Sequence, residues 1–396
     1  MKSAIVFCSL LLLTFSDIYG QQFEYLRPHE GLYDGEINSI EQDESGKMWF
    51  ATWSGLISYD GISFQSYRPE IGNSSSLPDK KIKKLFVDSK DNLWIITSRS
   101  LNLYNKEKDS FKTISFDRKF SFLIDINYVS EVDDNLIIHA LEGLYIYPFN
   151  KIDDPDYKAK KIEAYEGPEL LRFWNYSTSF TNKLFFVSNQ NNSRKSQVYI
   201  ASLDSNSTGT FINVEEKIDV SNRINSIEYV EPENNIYFAT NDGIIAYSLN
   251  NKQVVKEKYL EGTAIRQLLY TSDHKLYCTT DYPELLYLDL HLGESGKYTA
   301  NPNRYGTLLN NNIHCLYEDF SGNLWIGHQG QGLSIKNLYL KEFNTYRRDP
   351  LDKNTLRSNI VMCFNGTNDE ILIGCRTGGL NIIQKEKSTT DNPEYS

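Results

Sequence analysis

Cysteine and histidine are scarce in this 396-residue chain, with five and six copies respectively. No CxxC pair occurs, and the four cysteines beyond Cys8 (Cys278, Cys315, Cys363 and Cys375) have no metal-ligand spacing. Each falls in or beside a β-prone segment, so they read as free, buried thiols, with Cys363 and Cys375 the one pair near enough in sequence for a bridge. The histidines His29, His139, His274, His291, His314 and His328 are scattered and form no HExxH. No GxSxG, P-loop or dinucleotide fingerprint is found, so no cofactor is expected. Positive charge is in deficit, 41 Lys and Arg against 52 Asp and Glu, and the net −11 disfavours nucleic acid and anionic lipid as partners. Beyond Gly20 no run is long and apolar enough to cross a bilayer.

The start is different. Lys2 supplies a positive charge and Ala4 to Phe15 a short apolar run, the pattern of a secretory signal, with cleavage expected near Gly20. No lipobox surrounds Cys8. The reading is a periplasmic protein with residues 1–20 removed on export.

What the chain has in abundance is repetition, carried by 27 Tyr and 20 Phe, which suit half-buried pleated surfaces. An apolar residue opens each unit at Ile37, Ile82, Ile126, Phe173, Ile224, Ile265, Ile313 and Ile360. About twelve residues later comes a bulky partner: Trp49, Trp94, Ile137, Phe185, Tyr237, Tyr277, Trp325 and Leu372. The period is roughly 46 residues, the length of a four-stranded propeller blade.

In the first unit, Ile37 to Ile40 reads as strand one, Asp43 to Gly46 as a turn and Met48 to Thr52 as strand two. Gly55 to Tyr59 reads as strand three, Asp60-Gly61 as a hairpin, and Ser63 to Tyr67 as strand four. The fourth unit matches least and inserts a long polar loop, Asn189 to Ser196. Phe23 to Leu26 resembles the fourth strands and is expected to close the ring near Asn337. The fold expected is therefore all-β: a seven-bladed β-propeller of four-stranded antiparallel blades over 21–340. A partial eighth repeat and a polar tail follow over 341–396. The alternative is an eight-bladed ring in which Phe23 to Leu26 completes the eighth blade. Trp49, Trp94 and Trp325 are expected between blades.

These residues resemble the two-component regulator propeller repeat. The likeness rests on Ile37-x-x-Ile40, Asp43-x-x-Gly46-x-Met48-Trp49-Phe50-Ala51-Thr52 and Gly55-Leu56-x-x-Tyr59-Asp60-Gly61-x-x-Phe64. It returns in Ile313-x-x-Leu316-x-x-Asp319-x-x-Gly322-Asn323-Leu324-Trp325-Ile326-Gly327. The resemblance implies the N-terminal periplasmic sensor region of Bacteroidetes hybrid two-component histidine kinases, which typically respond to glycan breakdown products. It further implies a second propeller, a β-sandwich, a membrane helix and kinase modules. None of these follows in this sequence, which reads as truncated before them, so the missing modules or a second chain are expected partners.

The connections between strands two and three, and from strand four to the next strand one, share one end of a propeller. That end should present Trp53, Arg99, Glu142, Asp242, Tyr282, His328 and Gln329, with Lys81, Arg223, Arg266 and His314 nearby. Trp53, Arg99, Arg223, Arg266, Tyr282 and His328 are the candidate ligand residues, since aromatic and Arg side chains suit an oligosaccharide with acidic substituents. For each taken singly, a solvated rim explains it as well. Asp43, Asp88 and Asp319 are lone turn carboxylates, too few oxygens for calcium. Two other readings stand beside the sensor. A propeller polysaccharide lyase or glycosidase would need an acid and base around one cleft. A protein-binding scaffold would use only the rim. No catalytic residue is expected.

Overall fold

The computed structural model describes residues 23–28, 32, 34–117, 125–164, 176–189, 195–206, 209–282, 284–301, 306–310, 312–340, 348, 355–367 and 370–384. The signal-like start, Phe173 and the stretch around Phe343 lie outside them. The chain divides into two compact units, one of them Phe23–Leu340.

Among the described residues, that unit holds seven sheets. Six begin with the strands Ile37–Gln42, Ile82–Val87, Ile126–Val132, Tyr176–Phe180, Ile224–Val230 and Ile265–Tyr270, and each runs outward through successive antiparallel strands. In the seventh, Ile313–Glu318, Asn323–His328 and Gly332–Asn337 are joined at the outer edge by Glu24–Leu26, with Tyr25 opposite Ser334. Beyond this strand, Phe23 is buried and meets Tyr298 edge-on at 5.4 Å. Tyr25 donates its hydroxyl to the Thr307 carbonyl at 2.6 Å.

The repeat lengths make each sheet apolar on both faces, so each buries itself only against its neighbours. Trp49 packs with Ile82, Leu85 and Leu93 of the second sheet. Trp94 packs with Ile126 and Leu136 of the third. Trp325 of the seventh lies with Ile37 and Phe50 of the first, so the last sheet covers the first. All three indoles are buried.

Two sheets depart from the four-stranded expectation. Ser115–Phe116 adds a fifth strand, parallel, beside Lys158–Lys161. Glu163–Ala164 does the same beside Gly209–Val220. In the fourth sheet Ser196–Asn206 pairs along its length with Gly209–Val220, a ribbon longer than in the other sheets.

The glycine opening strand three has one cause throughout. Gly55, Gly143, Gly243 and Gly332 all have φ in the left-handed half, between 92° and 142°. At Gly55 an added Cβ would stand 2.5 Å from the Tyr67 carbonyl of strand four. At Gly332 it would strike the Leu26 carbonyl of the N-terminal strand, so only glycine fits.

In the second unit, Val361–Gly366, Glu370–Cys375 and Leu380–Gln384 form a three-stranded antiparallel sheet. Met362, Phe364, Leu380 and Ile382 are exposed on it. All four described cysteines are free. Cys278 and Cys315 are buried as expected, but Cys363 is exposed, because the three-stranded sheet leaves it uncovered.

Candidate ligand face

Two local devices build the end of the ring where strand two turns into strand three. The first is a threonine closing strand two. Thr52 and Thr240 donate their hydroxyls to the carbonyls of Gly55 and Gly243 at 2.8 Å, and accept from the amides of Ser54 (3.0 Å) and Asp242 (3.1 Å). Thr97 receives the amide of Arg99 at 3.2 Å, and Thr280 that of Tyr282 at 3.0 Å. Each hydroxyl mimics a backbone turn, so the residues just beyond it leave the strand. Trp53 is 39% exposed and Tyr282 58%. Arg99 has 66% of its side chain exposed and reaches only Asp79, at 3.9 Å.

His328 occupies the same position in the seventh sheet, and this overturns its expected exposure. As the last residue of strand two it points inward like Thr52 and Thr97, and it has no accessible surface. Its Nε2 lies 2.8 Å from the Ser334 hydroxyl, while Nδ1 finds no partner among the described residues. Burial lowers its pKa to about 4, so the ring is neutral. It belongs to the packing and contacts no ligand from this position.

The second device is a bulge in the innermost strand. Register shifts fall between Ile37 and Ser39, Ile82 and Lys84, Ile126 and Tyr128, Ile224 and Ser226, Ile265 and Gln267, and Ile313 and Cys315. The intervening residues are Asn38, Lys83, Asn127, Asn225, Arg266 and His314, all polar. A bulge re-aims its side chain, and several here are aimed at the next sheet. Asn38 donates to the Ile82 carbonyl at 2.9 Å, Lys83 to Asp125 at 2.6 Å, and Asn225 to the Ile265 carbonyl at 2.7 Å. The result is a belt of inter-sheet bonds near the mouth of the ring. Its signal in the sequence is the polar residue directly after six of the eight apolar openers.

Arg266 is part of that belt. Its guanidinium grips Asp281 through Nε (2.6 Å) and Nη2, and Nη1 reaches Asn241 at 3.2 Å. The grip holds Asp281 below the usual carboxylate range. An anion would have to compete with Asp281 for this arginine. Asp242 is likewise held by Lys258 at 2.8 Å. Arg223, by contrast, is exposed before the fifth sheet. The structure therefore leaves Trp53, Arg99, Arg223 and Tyr282 open at this end. Tyr282, Trp53 and Arg99 come from the sixth, first and second sheets, on one arc through the seventh-to-first closure.

Deeper on the innermost strands stand Glu41, Lys84 and Glu228. Burial raises both Glu41 and Glu228 to about 8; Lys84 partly offsets this at Glu41, and the Tyr270 amide, 3.0 Å from Glu228, does so there. Burial also lowers Lys84. Its ammonium lies 5.4 Å from the Tyr128 ring centre.

With this geometry in place, comparison with known proteins is decisive for one point. The family described as two component regulator propeller matches residues 307–330, the stretch that leads into strand two of the seventh sheet and ends just past it. The chain carries that repeat. Histidine kinase P4 of Formosa agariphila is 27% identical over 133 residues, which is 30% of this chain and 10% of that protein. Among solved structures, the extracellular domain of a B. thetaiotaomicron protein assigned as a hybrid two component system aligns at a TM-score of 0.67 and 20% identity, over 92% of this chain and 48% of the other. A second B. thetaiotaomicron extracellular domain, assigned to a one component system, aligns at 0.59 and 18% identity, over 93% and 49%. The chain thus spans about half of each. A streptogramin B lyase shares the fold at a TM-score of 0.56 and 14% identity, over 81% and 99%. Among the described residues no helix is long and apolar enough to cross a membrane.

Proposed function

We propose that this chain is the periplasmic sensing propeller of a two-component regulatory protein, capturing glycan-derived ligands without turning them over. The observation that carries the reading is the two component regulator propeller match at 307–330, in a chain that aligns over 92% of its length with the extracellular domain of a hybrid two component system. We read the ring as seven-bladed. Support comes from Glu24–Leu26 pairing with Gly332–Asn337, and from the packing of Trp325 on Ile37 and Phe50. The exposed apolar residues of Val361–Gly366 and Leu380–Gln384 support their reading as the opening of a second propeller.

The exposed side chains of Trp53 and Tyr282, with the exposed guanidinium of Arg99 reaching Asp79 only at 3.9 Å, favour a sugar bearing carboxylate or sulfate. Binding on rims assembled from several sheets suits a sensor, because a ligand there biases how rigid modules sit and need not react. The test is transcriptional. In cells carrying the gene, acidic oligosaccharides should induce a set of carbohydrate-utilisation genes, and deletion should abolish the response. An Arg99→Ala, Arg223→Ala double variant at normal protein level should blunt it. Full induction in the deletion strain contradicts the reading.

A further inference from the structure

The turn from strand one to strand two ends, in sheet after sheet, on a residue with positive φ: Gly46 (85°), Asp91 (61°), Asp134 (57°), Asn182 (57°), Asn234 (51°), His274 (60°) and Gly322 (73°). Gly takes up that region freely, and Asn, Asp and His are the side-chain-bearing residues found there most often. This position lies against the turn between strands three and four, where the repeats place different pairs. Asp91 forms an ion pair with Lys106. Asn234 donates its amide to Asn250 at 2.5 Å. Gly322 lies under the ring of Tyr339.

In the sixth sheet the pair is two imidazoles. His274 and His291 have ring centres 4.8 Å apart and planes at 80°. Both are exposed. Both backbones are pinned: the His274 amide donates to the Thr271 carbonyl at 2.9 Å, its carbonyl accepts from Leu290 at 3.3 Å, and the His291 amide donates to Asp289 at 3.0 Å. The His274 ring is oriented too, because its Nδ1 lies 2.9 Å from the Tyr270 hydroxyl. With Nδ1–H donating to that hydroxyl, Nε2 carries the lone pair that a metal ion would take. Metal-bound histidines are characteristically held this way through the other ring nitrogen.

We propose that His274 and His291 form a surface site for one borderline divalent transition-metal ion, Zn²⁺, Cu²⁺ or Ni²⁺. Two imidazoles offer such ions the ligands they prefer and offer little to Mg²⁺ or Ca²⁺. No group of three or more His, Cys, Asp or Glu suited to a metal ion occurs among the described residues, so water fills the remaining positions. The site lies at the opposite end of the ring from Trp53 and Arg99, so it is independent of the ligand proposal above.

The test is calorimetric titration of the full chain, free of any affinity tag, with ZnCl₂ and with CuCl₂. One equivalent should bind. His274→Asn, which installs the residue of the sister turn at Asn234, and His291→Asn should each weaken binding more than about tenfold, while leaving the fold intact. Tyr270→Phe should weaken it by roughly tenfold through the loss of ring orientation. His314→Ala should change nothing. Absence of saturable binding, or binding that survives the double His274→Asn, His291→Asn variant, overturns the proposal.

Discussion

The indole Nε1 of Trp94 donates to Oδ2 of Asp88 at 2.8 Å, while Oδ1 of the same carboxylate accepts the amides of Lys90 and Asn92 at 2.9 Å each. One side chain thus folds the turn with one oxygen and fixes the buried aromatic with the other. The arrangement recurs at Asp43 with Trp49 (2.8 Å) and at Asp319 with Trp325 (2.7 Å). The fifth and sixth sheets keep the logic with tyrosine: Tyr237 donates to Glu233 at 2.6 Å and Tyr277 to Asp273 at 3.2 Å. These carboxylates are committed to the turn and to the ring of strand two.

This lock should be measurable. Trp94→Ala should cost about 3–5 kcal/mol, since it opens a cavity between two sheets. Asp88→Ala should cost about 1–3 kcal/mol by orphaning buried donors. The two should be non-additive in a double-mutant cycle of chemical denaturation, with a coupling of about 0.5–3 kcal/mol. Additive losses would mean that the indole and the carboxylate act separately.

Ring closure gives a second prediction. Gly332 has φ of 100° and lies against the carbonyl of Leu26. Gly332→Ala should cost at least about 1–2 kcal/mol from the backbone alone. It should also expose the N-terminal strand to proteolysis, which limited digestion followed by mass spectrometry would detect. Gly61→Ala shares the positive φ, 91°, but meets no atom within 4 Å, so a loss at Gly332 in excess of it measures the clash with the N-terminal strand.

Much of this was legible in the sequence. The spacing of the apolar openers and bulky partners located the strands, because each sheet must bury both faces at a fixed depth. Phe23 to Leu26 was recognisable as a closing strand because its alternation matches the fourth strands. The candidate site was less legible. His328 and Tyr282 both follow a strand-two aromatic closely, yet one points in and the other out. The difference is two positions: His328 fills the place of Thr280, the last residue of strand two, whereas Tyr282 lies two residues past the strand end. Arg266 directly follows its apolar opener, but its commitment to Asp281 depends on a bulge and on a loop fifteen residues along the chain. The fifth strands at Ser115–Phe116 and Glu163–Ala164 are too short to carry any periodicity.

Stability should depend on pH in a definite direction. The folded-state pKa values of Glu41 and Glu228 are raised from 4.5 to about 8. Between those values the native state binds more protons than the unfolded chain, so stability falls as pH rises from about 4.5 to about 8. Glu41→Gln and Glu228→Gln should each flatten that fall and raise the melting temperature at pH 8 more than at pH 5. His139 and His328, both lowered from 6.5 to about 4, act oppositely, and their contribution is lost as pH falls through that window. Gln variants with an unchanged pH profile would show that these carboxylates are solvated.

The most direct test of the central claim is titration of the full chain with neutral and acidic oligosaccharides, with the recovered ligand examined by mass spectrometry. The account predicts saturable binding, preference for the acidic sugars and ligand recovered intact. Arg99→Ala and Trp53→Ala should weaken binding more than Arg266→Ala, whose guanidinium Asp281 already holds. Cleaved ligand, or binding indifferent to Arg99 and Trp53, would contradict it.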